Sequence, residues 1–198
     1  MHNYQRLPFC ISLILVLALG NSLRAQGANV ASTSTNSNLA GLKKEITVFQ
    51  GVLDTTVRQN LQMPFPLLGS TRGTYLPDYG AVFHLEVNVY QIRTISPFDL
   101  RPHTQKELDD AFNQMVSRAE MVKGLVINSI AEYGTSMQLL KPEENLSVVV
   151  YFFGGDDDGK RSFPSQMVLN VKKSVLQEYK ENKLSLDGLK QNIRITQF

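Results

Sequence analysis

The feature that most constrains the fold is the order in which two apolar periods occur along the chain. Leu42, Ile46, Phe49, Leu53, Val57 and Leu61 recur at helical spacing, and Pro64 and Pro66 end the run. The β-branched residues Ile46, Thr47, Val48, Val52, Thr55, Thr56 and Val57 make strand the competing reading of this stretch. Gly73 to Tyr90 reads as a hairpin. Pro77-Asp78 suits the middle of a type I turn, and Gly80 can take a positive φ just after it. In the second strand Ala81, Phe83, Leu85, Val87 and Val89 alternate with Val82, His84, Glu86, Asn88 and Tyr90. That pattern gives one buried face and one largely polar face.

The period then returns to helical. Thr104-Gln105-Lys106-Glu107 is a capping box, and Leu108, Phe112, Met115, Ala119, Val122, Val126, Ile130 and Tyr133 follow at helical spacing. Ala111, Leu125, Ile127 and Ala131 widen this stripe, as a core-facing helix requires. Gly134 reads as its C-cap, and Gly124 marks a kink or a close packing contact. Leu146 to Phe153 is nearly all apolar and reads as a central strand. Gly154 to Pro164 is a loop, and Met167, Leu169 and Val171 point inward from a further strand. Ser174 to Lys180 is a short helix with Ser174 and Gln177 as a second capping box. Ser185 to Asn192 is another, and Ile193 to Phe198 forms a last edge strand. The order α-β-β-α-β-β-α-α-β lacks regular βαβ alternation. It predicts a single α+β domain over 41–198, with a mostly antiparallel sheet and helices packed on one face.

Composition matters chiefly for what precedes this domain. Residues 1–25 read as a secretory signal peptide, with Arg6 in the n-region and an apolar run from Phe9 to Leu19. The run is too short for a spanning helix, which needs ~20 residues. Cleavage after Gly20 or Ala25 is plausible, and an uncleaved anchor is the alternative. The chain holds 20 Lys+Arg against 18 Asp+Glu, and Arg6 and Arg24 account for the excess. The one cysteine, Cys10, also lies in this segment, so a mature chain would have neither thiol chemistry nor disulfides. Residues 26–40, rich in Ser, Thr, Asn, Gly and Ala and without charge, read as a flexible low-complexity tether. These features point to an exported protein, periplasmic or extracellular and bacterial, with no transmembrane span after signal removal.

Several chemistries fail on the residues present. Gly154-Gly155-Asp156-Asp157-Asp158-Gly159-Lys160 has the spacing of a phosphate loop, but its aspartates would repel phosphate and Arg161 stands where a Mg²⁺-binding hydroxyl belongs. A nucleotide is therefore not expected. Asp156 and Asp158 are a weak calcium candidate, because Lys160 occupies the next ligand position; a solvated hairpin tip is the ordinary reading. No Lys/Arg stripe suggests nucleic acid. No hydrolase signature occurs, and only His84 and His103 remain beyond the signal, so neither a three-His metal site nor any cofactor is expected. Asn145-Leu146-Ser147 is a glycosylation sequon, of consequence only in a eukaryotic secretory pathway.

The sharpest constellation is His84, Glu86 and Asn88, placed by alternation on one strand face ~7 Å apart. A water-facing sheet side is the ordinary reading. Ligand binding, extended by Tyr90 and by cross-strand neighbours such as Asn170, is the functional one. Tyr75 and Tyr79 flank the hairpin turn, either packed across it or serving as binding anchors.

Tyr75-Leu76-Pro77-Asp78-Tyr79-Gly80-Ala81-Val82-Phe83 resembles a Tyr-Leu-Pro-x-Tyr-Gly-x-x-Phe segment found in a group of uncharacterised exported bacterial proteins. Those proteins are similar also in a long helix ending in Tyr-Gly, a valine-rich strand and a tail like Lys172-Lys173-Ser174-Val175-Leu176-Gln177-Glu178-Tyr179. The resemblance spans roughly residues 42–198. It implies export and a single domain, and no activity or functional residue.

The expectation is a non-catalytic binding domain for an envelope protein, peptide or glycan. Its ligand-binding candidates are His84, Glu86, Asn88, Tyr75 and Tyr79. A metal-independent hydrolase using Glu86 and His84 is one alternative, and requires both in one concave pocket. A structural accessory protein of the envelope is the other, and requires an apolar patch on the exposed side of helix 104–133.

Overall fold

The computed structural model describes residues 24–90, 104–154 and 161–198, with side chains from residue 38 onward. Most of the 1–25 segment, Cys10, His103 and the Asp156 and Asp158 calcium candidate lie outside the described residues. The chain divides into two units, Met1–Gly41 and Leu42–Phe198. The described part of the first is the opening of helix α1, Arg24–Asn60. Backbone 26–40 is thus helical, where composition suggested a tether. Once a helix is nucleated, each added residue gains one hydrogen bond, so a neutral polar stretch can continue a helix whose later turns are anchored.

In the second unit, α1 buries Leu42, Ile46, Phe49, Leu53, Val57 and Leu61. The helical period outweighs the β-branched content because it places these six apolar side chains on one core. Strands β1 (Arg72–Leu76), β2 (Gly80–Asn88), β3 (Asn145–Phe153), β4 (Gln166–Lys172) and β5 (Arg194–Gln197) form one sheet in the order of the chain. Three pairs are antiparallel. The exception is central: β2 and β3 run parallel, joined through helix α2 (Gln105–Tyr133). Helices α3 (Lys173–Lys180) and α4 (Leu186–Asn192) precede β5. The protein is an α+β domain with a mostly antiparallel sheet.

All four helices contribute to one core on a single sheet face, the inner face. That core joins α1, Val122, Val126 and Ile130 of α2, Leu176 of α3 and Leu189 of α4 to Ala81, Phe83, Leu146, Val148, Leu169 and Val171. Phe49 meets Phe83 edge-on, ring centres 4.8 Å apart. Full burial of one such side chain stabilises by about 1.5–3 kcal/mol. α1 also anchors the start of β1. Gln50 Nε2 donates to the Thr71 carbonyl at 2.6 Å, and the Thr71 amide and hydroxyl donate to Asp54 Oδ1 at 2.8 and 2.6 Å.

Three local expectations are corrected. Asp78 has φ +64°, so the Pro77-Asp78 turn is type II-like, closed by the Tyr79 amide on the Leu76 carbonyl at 3.1 Å. Gly124 has open space at its Cα, and α2 runs through it unbroken. Gly134 is the C-cap of α2, as expected, with helical φ −61° and its amide on the Ile130 carbonyl, and it leads into a short 3₁₀ turn, Gly134–Ser136. Its constraint is proximity: a Cβ there would stand 2.8 Å from Leu146 Cδ2. Ser174 lies inside α3, whose N-cap is Lys172 and has no side-chain cap bond. The capping box at Thr104 forms as expected, and Ser185, read as the first residue of the next helix, is its N-cap and accepts the Gly188 amide.

Candidate functional site

Strand parity and register build an outer face opposite the helices. Across it, Thr74, Val82, Ser147, Asn170 and Arg194 form one row. Arg72, His84, Val149, Val168 and Thr196 form the next. Glu86, Tyr151 and Gln166 form a third, and Asn88 and Phe153 a fourth. Residues 66–68 extend the third and fourth rows, since the Leu68 amide donates to the Glu86 carbonyl and the Asn88 amide to the Pro66 carbonyl. Neighbouring strands are ~4.8 Å apart and same-face residues along a strand ~6.6 Å apart. The face therefore has two ends.

One end is aromatic. His84 stacks on Tyr151, ring centres 6.3 Å apart and 17° from parallel. Tyr151 is 41% exposed, Phe153 59% and Leu68 46%. Glu86 is exposed in the same row, and Asn88 Oδ1 accepts the Tyr90 amide at 3.0 Å. His84, Glu86 and Asn88 do share one face, as alternation predicts. No hydrogen bond joins His84 to Glu86, and both lie exposed on the sheet. A histidine that serves as base needs an orienting partner and a shielded setting, and neither is present here among the described residues.

The other end is polar. Tyr79 leaves the turn and brings its hydroxyl to β3 and β4. Its hydroxyl lies 2.9 Å from Ser147 Oγ, and Asn170 Nδ2 donates to both, at 3.0 Å to Tyr79 and 2.7 Å to Ser147. Gly80, at φ +125°, makes this path possible, because a Cβ there would collide with the Asn145 backbone. The Asn145 amide and side chain both donate to the Tyr79 carbonyl, at 2.8 and 3.1 Å. The Asn145 sequon thus sits within a central strand with Ser147 buried, a poor setting for a glycan acceptor.

Tyr75 does not join the site. It pairs with Ala81 and so points to the inner face, where its hydroxyl donates to Glu144 Oε1 at 2.7 Å. That bond, followed by burial and the charges of Glu144 and Asp78, pushes the phenol up to about 12. Glu144 is buried and also accepts the Lys141 amide at 2.9 Å. Nearby, buried Lys173 donates from Nζ to the Thr135 carbonyl at 3.1 Å. Burial, then the charge of Lys180, pushes its ammonium below the usual lysine range, and Glu45 opposes the shift.

Ser147, Tyr151 and Phe153 escaped sequence reading because Leu146–Phe153 looks uniformly apolar. The signal was parity: alternate residues of that run face outward. Among the described residues no three His, Cys, Asp or Glu side chains cluster as metal ligands, and no helix is long and apolar enough to cross a membrane. On α2, Leu108, Val116 and Met121 are exposed, but Glu120, Ser117 and Asp110 separate them. No protein-family model matches the chain, and comparison with curated proteins and with solved structures finds no match.

Proposed function

We propose that the protein is an exported, non-catalytic binding domain that holds its ligand on the outer face of the sheet. The supporting observation is the contrast between faces. The inner face is filled by four helices, while the outer face presents Tyr79, His84, Tyr151 and Phe153 beside Glu86, Asn88 and Asn170. Rigid aromatic rings on paired strands lose little conformational entropy on binding, which suits them as anchors. Export rests on the leader and on the resemblance in residues 75–83. A hydrolase built on Glu86 and His84 is less well supported, since both are exposed side chains on a sheet surface with no shared hydrogen bond.

The test is retention of the full chain on purified cell-envelope polysaccharide and protein fractions. Replacing both Tyr151 and Phe153 by Ser is expected to abolish retention while leaving the thermal midpoint within a few degrees. Unchanged retention in the double variant would overturn the outer face as the binding surface.

A further inference from the structure

We infer that the polar end of the outer face, around Tyr79, Ser147 and Asn170, recognises the carboxylate-bearing sugar rings of an acidic polysaccharide. This rests on the outer-face reading above and names the ligand class. Both Nδ2 protons of Asn170 are used, one on Tyr79 and one on Ser147. The two hydroxyls carry one proton each and share a single bond between them. One hydroxyl proton is therefore left for an outside acceptor. Ser147 is 1% exposed and Tyr79 39%, so the buried serine donates to tyrosine and the tyrosine proton points away from the sheet. Asn170 Oδ1 has no donor among the described residues and supplies an acceptor beside it.

Charge decides which acceptor fits. Arg194 stands opposite Asn170 on β5, and Lys172 lies two residues along β4 on the same face. Both are exposed, and neither has an ion-pair partner among the described residues. Arg72 adds a third cation to the face, and among its described strand residues Glu86, at the far end, is the one acid. Asp78, exposed in the turn beside Tyr79, is the acid next to this end of the face. A hydroxyl donor flanked by two cations suits a carboxylate.

The scaffold favours a sugar chain over an acidic peptide. Backbone groups of β2, β3 and β4 are paired on both sides, so a peptide laid across them finds no main-chain partner. A sugar ring needs none. Its hydroxyls can use Asn170 Oδ1, its carboxylate the Tyr79 proton and the two cations, and its apolar face the tyrosine ring.

Calorimetric titration of the full chain with a galacturonate oligomer, its methyl ester and a polyglutamate peptide tests this. The acid oligomer is expected to bind at least tenfold tighter than the ester or the peptide, with affinity falling as salt rises. Tyr79→Phe should weaken it about tenfold, with the thermal midpoint as a control on folding. Asn170→Asp keeps the side-chain shape but places a negative charge at the site, and should weaken the acid far more than the ester. Equal binding of acid and ester, tighter binding of polyglutamate, or a Tyr79→Phe variant indistinguishable from the parent overturns the inference. If none of the three probes binds while envelope retention still depends on Tyr151 and Phe153, this inference falls and the outer-face reading stands.

Discussion

Tyr75 and Tyr79 flank one turn, four positions apart, and end on opposite faces of the sheet. Tyr75 donates a hydrogen bond to a buried carboxylate whose other oxygen accepts a loop amide, and the unit ties β1 to the approach to β3. Tyr79 sits in a neutral network with Ser147 and Asn170 and keeps a proton for the outside. The same residue type therefore serves the fold in one place and the surface in the other. What separates them is the turn: its positive-φ Asp78 and Gly80 switch the chain from an inward to an outward side chain. A tyrosine is a binding anchor only when its hydroxyl is not already committed to a charged partner.

The largest test of this contrast is Gly80→Ala. A side chain at φ +125° against the Asn145 backbone is expected to cost about 3 kcal/mol in urea unfolding and to disturb both tyrosines together. Next is Tyr75→Phe, which removes a bond to an ionised carboxylate and should cost about 2 kcal/mol.

The same variant has a pH signature. The folded phenol titrates near 12, above the unfolded value of 10.0, so its stabilisation is complete below pH 10 and is lost as pH rises toward 12. Tyr75→Phe should flatten that alkaline decline. Lys173 acts in the opposite sense. Its folded pKa is lowered, so the unfolded chain binds more protons over the window just below 10.5, and stability rises with pH there. Lys173→Met should remove that rise, and denaturant midpoints measured from pH 8 to 12 separate the two slopes.

The outer-face tyrosine should matter least to folding. Tyr79→Phe is expected to cost about 1 kcal/mol or less, because its partners are neutral and it is partly solvated. Phe153→Ser, at 59% exposure, should stay within about 0.5 kcal/mol. If Tyr79→Phe proved as damaging as Tyr75→Phe, the assignment of one tyrosine to the fold and the other to the surface would fail.

Much of the architecture was legible because period and burial are local properties. The α1 face from Leu42 to Leu61, the alternation of β2 and the Thr104 cap are each written within one element, and each forms. Relations between elements were not legible. Nothing in residues 80–88 says that their neighbour will be 145–153, or that the pair will run parallel. For the same reason His84, Glu86 and Asn88 were found, since one strand holds all three, whereas the Tyr79 cluster was not assembled. Its members span 91 residues of chain, and only register brings them together. Ser174 does not cap because Ser and Gln at the right spacing also fit inside a short helix, here two residues past the N-cap Lys172.

The central parallel pair also sets a timetable for synthesis. β2 leaves the ribosome long before β3, and a parallel neighbour cannot be supplied by a hairpin. Until α2 and β3 have been made, the newly formed α1–β1–β2 segment exposes Phe83, Leu85 and Val87 along an unpaired strand edge. Long-range closure of this kind slows folding and leaves sticky intermediates. The half made first therefore cannot complete its sheet until the rest of the chain has followed it.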